Sequence, residues 1–370
     1  MAYGTVNADV IGTSVAGSNL GAGNASIMKN RIINGAMVID QRNAGALVNP
    51  MADSTYYLDR WRASATQTSK LSIGQNAGSV TPPVGFTNYM GFTSLSAYSI
   101  TSGDIFGIAQ NIEGYNVADL GWGTANAKTV TLSFQVYSSL TGTFGGSLRN
   151  SASSRSYPFS YTISSANTWT SVSITIAGDT SGTWLTTNGI GIILFLSLGS
   201  GSTYSGTAGS WSGSTYTSAT GATSVVGTNG ATFYITGVQL EVGSSATGFE
   251  YRQYTTEFAL CQRYYQKWSG NPSRKWVMNG MTLADAVAYG CYPLKVTMRT
   301  EPTLSTTGTA SDYCFYTGNT LLTCSSVPSI NTSSVDTVNI GWVASGCGDG
   351  RASQMGSNTN SMYLGFNAEL

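Results

Sequence analysis

Thr129-Val-Thr-Leu-Ser-Phe-Gln-Val-Tyr137 alternates apolar and polar side chains without a break. Successive side chains of a strand point to opposite faces, so this stretch reads as a half-buried strand of a sandwich. Ser171-Val-Ser-Ile-Thr-Ile-Ala177 repeats the pattern, and Phe233-Tyr-Ile-Thr-Gly-Val-Gln-Leu-Glu-Val242 closes the set. Between them, Gly189-Ile-Gly-Ile-Ile-Leu-Phe-Leu-Ser-Leu198 is apolar on both faces, as a covered strand is. Clusters at 142–146 and 177–182 and a long tract at 199–230 read as turns and loops. No helical period intervenes, so the sequence predicts an all-β fold, an antiparallel β-sandwich.

Composition agrees and narrows the chemistry. The chain has 370 residues, 45 of them glycine, with 41% hydrophobic residues and only 9% charged. That length is enough for two globular domains or one large β-domain with appendages. The apolar content is enough for real cores, in a composition rich in turns and poor in helix formers. Seventeen basic residues balance seventeen acidic ones, with no basic stripe to displace counterions from a phosphate backbone. Nucleic acid is therefore not an expected partner. The run from 189 to 198 is roughly half the ~20 residues a spanning helix needs, so no membrane insertion is expected. The first residues, Met1-Ala-Tyr-Gly-Thr-Val-Asn-Ala-Asp, show neither a basic nor an apolar signal region.

There is no histidine, which rules out a Ser-His-Asp or Cys-His constellation and any His-ligated metal within the chain. The five cysteines, Cys261, Cys291, Cys314, Cys324 and Cys347, have no CxxC spacing. A Cys314–Cys324 bridge is geometrically conceivable, but free thiols are expected of cytoplasmic synthesis. Their confinement to the last third hints at a domain boundary near Leu260. No cofactor and no metal is expected.

Tyr254-Thr-Thr-Glu-Phe-Ala-Leu-Cys-Gln-Arg-Tyr-Tyr-Gln-Lys-Trp268 reads as the best helix, capped by Thr255 or Thr256. Phe258, Cys261, Tyr265 and Trp268 would share its packed face, against its own domain or on a three-fold axis. After Gly270 a second β-rich module follows. Leu294-Lys-Val-Thr-Met298 alternates, and Thr337-Val-Asn-Ile-Gly-Trp-Val343 and Met362-Tyr-Leu-Gly-Phe-Asn-Ala-Glu-Leu370 read as late strands. Residues 1–28 carry no periodic pattern, as a frayed terminus or a docking tail would.

Several stretches, in order, resemble one family. They are Arg31-Ile-Ile-Asn-Gly-Ala-Met-Val-Ile-Asp-Gln-Arg42, Tyr57-Leu-Asp-Arg-Trp61, Ala109-Gln-Asn-Ile-Glu-Gly114 and Ser133-Phe-Gln-Val. Ile235-Thr-Gly-Val-Gln-Leu-Glu-Val-Gly243, Phe258-Ala-Leu-Cys-Gln-Arg-Tyr-Tyr265 and the final Tyr363-Leu-Gly-Phe-Asn-Ala-Glu-Leu370 continue the series. The series resembles bacteriophage and prophage tail fibres with a carbohydrate-binding-module-like jelly roll and a C-terminal knob. The resemblance covers about residues 31–268 and the last eight. It implies a virion protein, a homotrimer, assembled in the host cytoplasm. Its domains would be a docking segment over 1–30 for other virion proteins, a jelly-roll sandwich over 31–253, a connecting helix over 254–269 and a knob over 270–370. The implied function is attachment to host-cell surface glycans. A capsid-borne decoration fibre is the nearest alternative, and a polysaccharide depolymerase with carboxylates gathered at a subunit interface is another.

Catalysis is the weaker expectation, because glycoside hydrolysis ordinarily needs two facing carboxylates and the acids here (Asp104, Glu113, Asp119, Asp179, Glu241, Glu250) are scattered singly. Glu113 reads as a buried acid at a strand end or a partner of Arg31 or Arg42. Glu241 reads as an outward strand carboxylate, with a structural Ca²⁺ as the sharper alternative. Trp61 is expected beneath the sandwich, with Arg60 or Arg62 paired to an acid. Aromatic faces stack on pyranose rings, so Tyr204, Trp211 and Tyr216 in the long loop are candidate glycan contacts, with pinning of the loop as their plainer role. Tyr313, Tyr316 and Trp342, flanked by polar loops in the knob, are the second set.

Overall fold

The computed structural model describes residues 28–270, 274–284 and 286–370. Apart from residues 28–30, the docking segment expected over 1–30 lies outside the described residues. The chain divides into two compact units, 1–253 and 254–370.

The first unit is a sandwich of two antiparallel sheets. One sheet has six strands in the order β1 (Tyr56–Leu58), β2 (Trp61–Ala65), β5 (Ile105–Glu113), β10 (Ile190–Ser200), β7 (Gly142–Arg149) and β8 (Ser156–Ile163). The other has five, β3 (Leu71–Gln75), β4 (Met90–Ser94), β13 (Thr232–Val242), β6 (Val130–Ser138) and β9 (Thr170–Ile176). The chain passes from one sheet to the other at most steps, staying within a sheet only at β1–β2, β3–β4 and β7–β8, as a jelly roll does. The alternation that predicts β6 sends Val130, Leu132, Phe134 and Val136 into the core, where they meet Phe106, Leu194, Leu196 and Phe233. Each such fully buried side chain contributes about 1.5–3 kcal/mol of apolar transfer.

One expectation fails here. Residues 142–146 read as a turn, yet they open β7, because their glycines serve close approach. A Cβ on Gly146 would lie 2.5 Å from the Phe159 ring, and one on Gly145 would collide with Ser218. The tract 199–230 is mostly loop, as its composition suggests, and it folds back on the sandwich. A short parallel pair, β11 (Ser205–Gly206) and β12 (Ser218–Ala219), braces it, and Val225 and Val226 enter the core.

The second unit is also β-rich. A three-stranded sheet runs β14 (Tyr265–Ser269), β23 (Tyr363–Asn367), β17 (Thr303–Thr306). A seven-stranded sheet runs β19 (Thr320–Thr323), β18 (Tyr313–Thr317), β22 (Ala352–Ser357), β15 (Trp276–Thr282), β16 (Val287–Pro293), β21 (Thr337–Val343), β20 (Ser329–Ser333). The helix α1 spans only Tyr254–Gln262, and buries Glu257 and Cys261. Tyr265 and Trp268, expected on its face, belong to β14, where they pair with Asn367 and Leu364. Leu294-Lys-Val-Thr-Met298 is no strand; its ends donate to the Asp336 and Val335 carbonyls instead. All five cysteines are free thiols, and only Cys291 is exposed.

Candidate functional site

The knob candidates separate by burial. Tyr313 and Trp342 are fully buried, packed edge to face at 5.7 Å, and present no surface to a ligand. Both lie on the inward side of their strands, and the Tyr313 hydroxyl is spent on the Tyr363 carbonyl at 2.8 Å. Of that set only Tyr316, 40% exposed, can touch a solute.

Trp211 takes the pinning role. Its ring packs edge-on against Trp122, Trp184 and Tyr157 at 5.2–5.4 Å, and its indole N–H donates to the Ala177 carbonyl at 2.8 Å. Tyr216 lies flat on Gly206, and Tyr204 is half-buried where Thr217 N–H donates to its carbonyl. These three therefore form no common platform.

The acids are engaged locally. Arg155 holds Asp179 in a two-point pair at 2.7 Å, and Arg31 holds Asp119 at 2.7 Å. Glu241, expected to face outward, is buried and accepts hydrogen bonds from Gln239 and Thr247, with Lys29 at 3.8 Å. Glu113 is buried at the end of β5. No group of acids or cysteines that would hold a metal ion occurs among the described residues. Arg62 donates to the Ser54 hydroxyl at 2.6 Å rather than to an acid.

Four of the motifs that carry the fibre resemblance meet in one buried girdle. Asn34 bridges the Ile39 and Asp59 carbonyls and accepts from Ile39 N–H, while the Trp61 indole donates to the Asn34 carbonyl. Gln110 exchanges two 2.9 Å bonds with the backbone of Ile33. Asn30 bonds Val238 and Leu240. These side chains satisfy irregular backbone that no ladder reaches. The motifs record a structural fastening and not a ligand site.

An aromatic ledge that the sequence reading passed over stands on the outer face of the five-stranded sheet. Tyr137 on β6 stacks on its register partner Tyr234 on β13 at 5.2 Å. Trp169 closes on Tyr137 at 5.5 Å, and Tyr89 closes on Trp169 and Tyr234 at 5.7 and 5.1 Å. The ledge is fixed from outside: the Trp169 indole donates to the Thr81 carbonyl at 2.9 Å and the Tyr89 hydroxyl to the Ala77 carbonyl at 3.0 Å. Burial raises the pKa of both Tyr89 and Tyr234, which keeps their hydroxyls protonated. Tyr137 and Trp169 remain half-exposed.

Along the same face runs an uncharged ladder: Ser133 opposite Ser173 and Gln135 opposite Ser171. Gln135 and Ser171 exchange hydrogen bonds at 2.9 and 3.0 Å, while Ser171 and Ser173 stay exposed. Half-exposed rings beside hydroxyls and an amide can stack on the C–H face of a neutral polyol and bond its hydroxyls. The signal lay in the opening stretch itself, where Tyr137 is the one aromatic residue at an outward position.

No family model and no curated protein matches the chain. Among solved structures, the enzymatically active domain of bacteriophage CBA120 tailspike protein 4 is similar over 58% of this chain, with 12% identity and a TM-score of 0.32. The likeness spans only 22% of that domain's length. A family 11 carbohydrate-binding module from Clostridium thermocellum, in complex with a mixed-linked tetrasaccharide, is similar over 54% of this chain and 97% of its own, at 13% identity and a TM-score of 0.26. The module TmCBM61, in complex with a galactotriose, covers 58% of this chain and 99% of its own, at 10% identity and a TM-score of 0.29. Each is a likeness of β architecture.

Proposed function

We propose that the protein is a bacteriophage fibre that attaches to host cells by binding surface glycans through its sandwich unit. The observation that carries the reading is the Tyr137–Trp169 ledge beside an uncharged hydroxyl and amide ladder on an open sheet face. The ordered motif series supports the fibre assignment, since four of its motifs converge on one buried fastening of the sandwich. Binding rather than turnover is the proposed chemistry, as Asp179 and Glu241 are committed to partners inside the fold and Asp119 is paired with Arg31 at its surface. In this reading the chain is a homotrimer docked on other virion proteins through its N-terminal segment. Three linked sites on each fibre raise avidity without any single tight contact.

The test is binding of the purified protein to host cells and to neutral oligosaccharides cut from their surface. Trp169→Ala and Tyr137→Ala should each weaken oligosaccharide binding about tenfold, the size expected for one lost stacking contact. Light scattering should give the mass of three chains. Wild-type binding untouched by both substitutions would remove the ledge as the site, and shortened polysaccharide would replace attachment with hydrolysis.

A further inference from the structure

The six-stranded sheet carries a second outer face whose chemistry differs. One row across it is Arg62 on β2, Ala109 on β5, Phe195 on β10 and Ser147 on β7, each the register partner of the next. Arg149, two residues beyond Ser147 on the same face, lays its guanidinium 5.7 Å over the Phe195 ring. Arg31, Arg155 and Arg252 each hold an acid. Arg149 has neither an ion pair nor a hydrogen bond among the described residues, and its Nε is buried without a partner. Its neighbour Arg62 carries the same charge. Burial first, and that like charge second, push the Arg149 guanidinium down to about 10, so it remains a cation at neutral pH.

The surrounding polar atoms are equally unspent. The Ser147 hydroxyl is fully buried and unpartnered. Ser218 on β12 crosses the same face above Gly145 and also has a buried, unpartnered hydroxyl. A half-buried cation and buried hydroxyls without partners each cost stability, and folded proteins rarely keep several together. An anion arriving between Arg62 and Arg149 would remove the repulsion and supply the missing acceptor.

We propose that this face is a second binding site, which takes the carboxylate of an acidic sugar between Arg149 and Arg62, the two half-buried cations of the face. A guanidinium pairs a carboxylate in two parallel bonds, which gives direction as well as charge. A sugar acid fits better than an acidic peptide. Extended peptides are held by main-chain pairing at a sheet edge, and a sheet face has no main-chain groups to spare. The carboxylate could belong to a uronic or to a sialic acid, and two probes separate them.

The experiment is calorimetric titration of the full-length protein with trigalacturonate and with sialyllactose, each beside its carboxyl-reduced form. One sugar acid should bind, more weakly as salt rises, and its reduced form should not. Arg149→Gln should weaken that binding about tenfold or more, and Arg62→Gln in the same direction. Trp169→Ala, on the opposite sheet, should leave it unchanged, so failure of the neutral-glycan site and failure of this one are scored separately. Because Arg149→Gln removes an uncompensated charge, the thermal midpoint of the unliganded protein should hold or rise. The proposal is overturned if neither sugar acid binds, if Arg149→Gln binds as wild type, or if inorganic phosphate or polyglutamate binds as tightly. A midpoint several degrees lower in Arg149→Gln would also overturn it, by making the residue structural.

Discussion

Asp104 is buried in the turn before β5, where its hydrogen bonds tie stability to pH. Burial, the largest single influence, works to raise its pKa. Hydrogen bonds to the charged form outweigh it: Thr101 gives its N–H and hydroxyl at 2.8 Å, Thr66 its hydroxyl at 2.8 Å and Tyr98 its hydroxyl at 3.0 Å. The carboxyl is held at about 2, against about 3.9 in an unfolded chain. The folded value is the lower, so this contribution is complete above about pH 4 and is lost as pH falls toward 2. Asp104→Asn should cost about 1–2 kcal/mol at neutral pH and flatten the loss between pH 4 and 2, as read from urea midpoints. A mutant whose midpoint falls as steeply as wild type would place the acid sensitivity elsewhere. Single residues were the least legible part of the sequence. Tyr313, Tyr316 and Trp342 look alike there, each an aromatic near polar loops, yet two are buried and the third is exposed.

Strands were more legible than their interruptions. Alternation of side chains exposes β6, β9 and β21 directly, because one face must be dry. A β7 that begins with glycines has no such mark, and the helical period of Cys261, Tyr265 and Trp268 is an accident across a helix end and a strand. The register shift in β13 is an interruption of the same kind, falling between Thr236 and Gln239. Gly237 sits there at φ +63°, and a Cβ on it would lie 2.5 Å from the Phe86 ring. A left-handed backbone costs a side chain ~1–2 kcal/mol, and the ring would have to move as well. Gly237→Ala should therefore lose at least ~2 kcal/mol, measured by thermal melting. A loss under half that would mean the ring yields freely.

Across the molecule, the sequence supplied the β class and the cysteine-bearing second half. It could not supply either outer face. Arg62 and Arg149 share one face only because β2, β5, β10 and β7 lie side by side, and sheet order is not written in any local pattern. Trp169 reaches Tyr137 for the same reason, through the pairing of β9 with β6. Thiol accessibility tests the second unit as folded. Cys261, Cys314, Cys324 and Cys347 are buried while Cys291 is exposed, and burial, with Cys314 nearby, pushes the Cys324 thiol up to about 12. A thiol reagent should label Cys291 alone in the native protein and all five after denaturation. Fast labelling of a second thiol would show that the unit opens.

The girdle that ties Asn30 to Val238 and Leu240 sets a timetable. β13 lies in the middle of its sheet, between β4 and β6, yet it is the last strand of the unit in chain order. A ribosome adding ~5–20 residues per second needs on the order of ten seconds or more to pass from β4 to the end of β13. Once β6 has emerged, β4 and β6 have no strand between them, and their facing edges wait unpaired for the one that joins them. Growing chains of this protein on neighbouring ribosomes are thus most prone to stick to one another just before the sandwich can close.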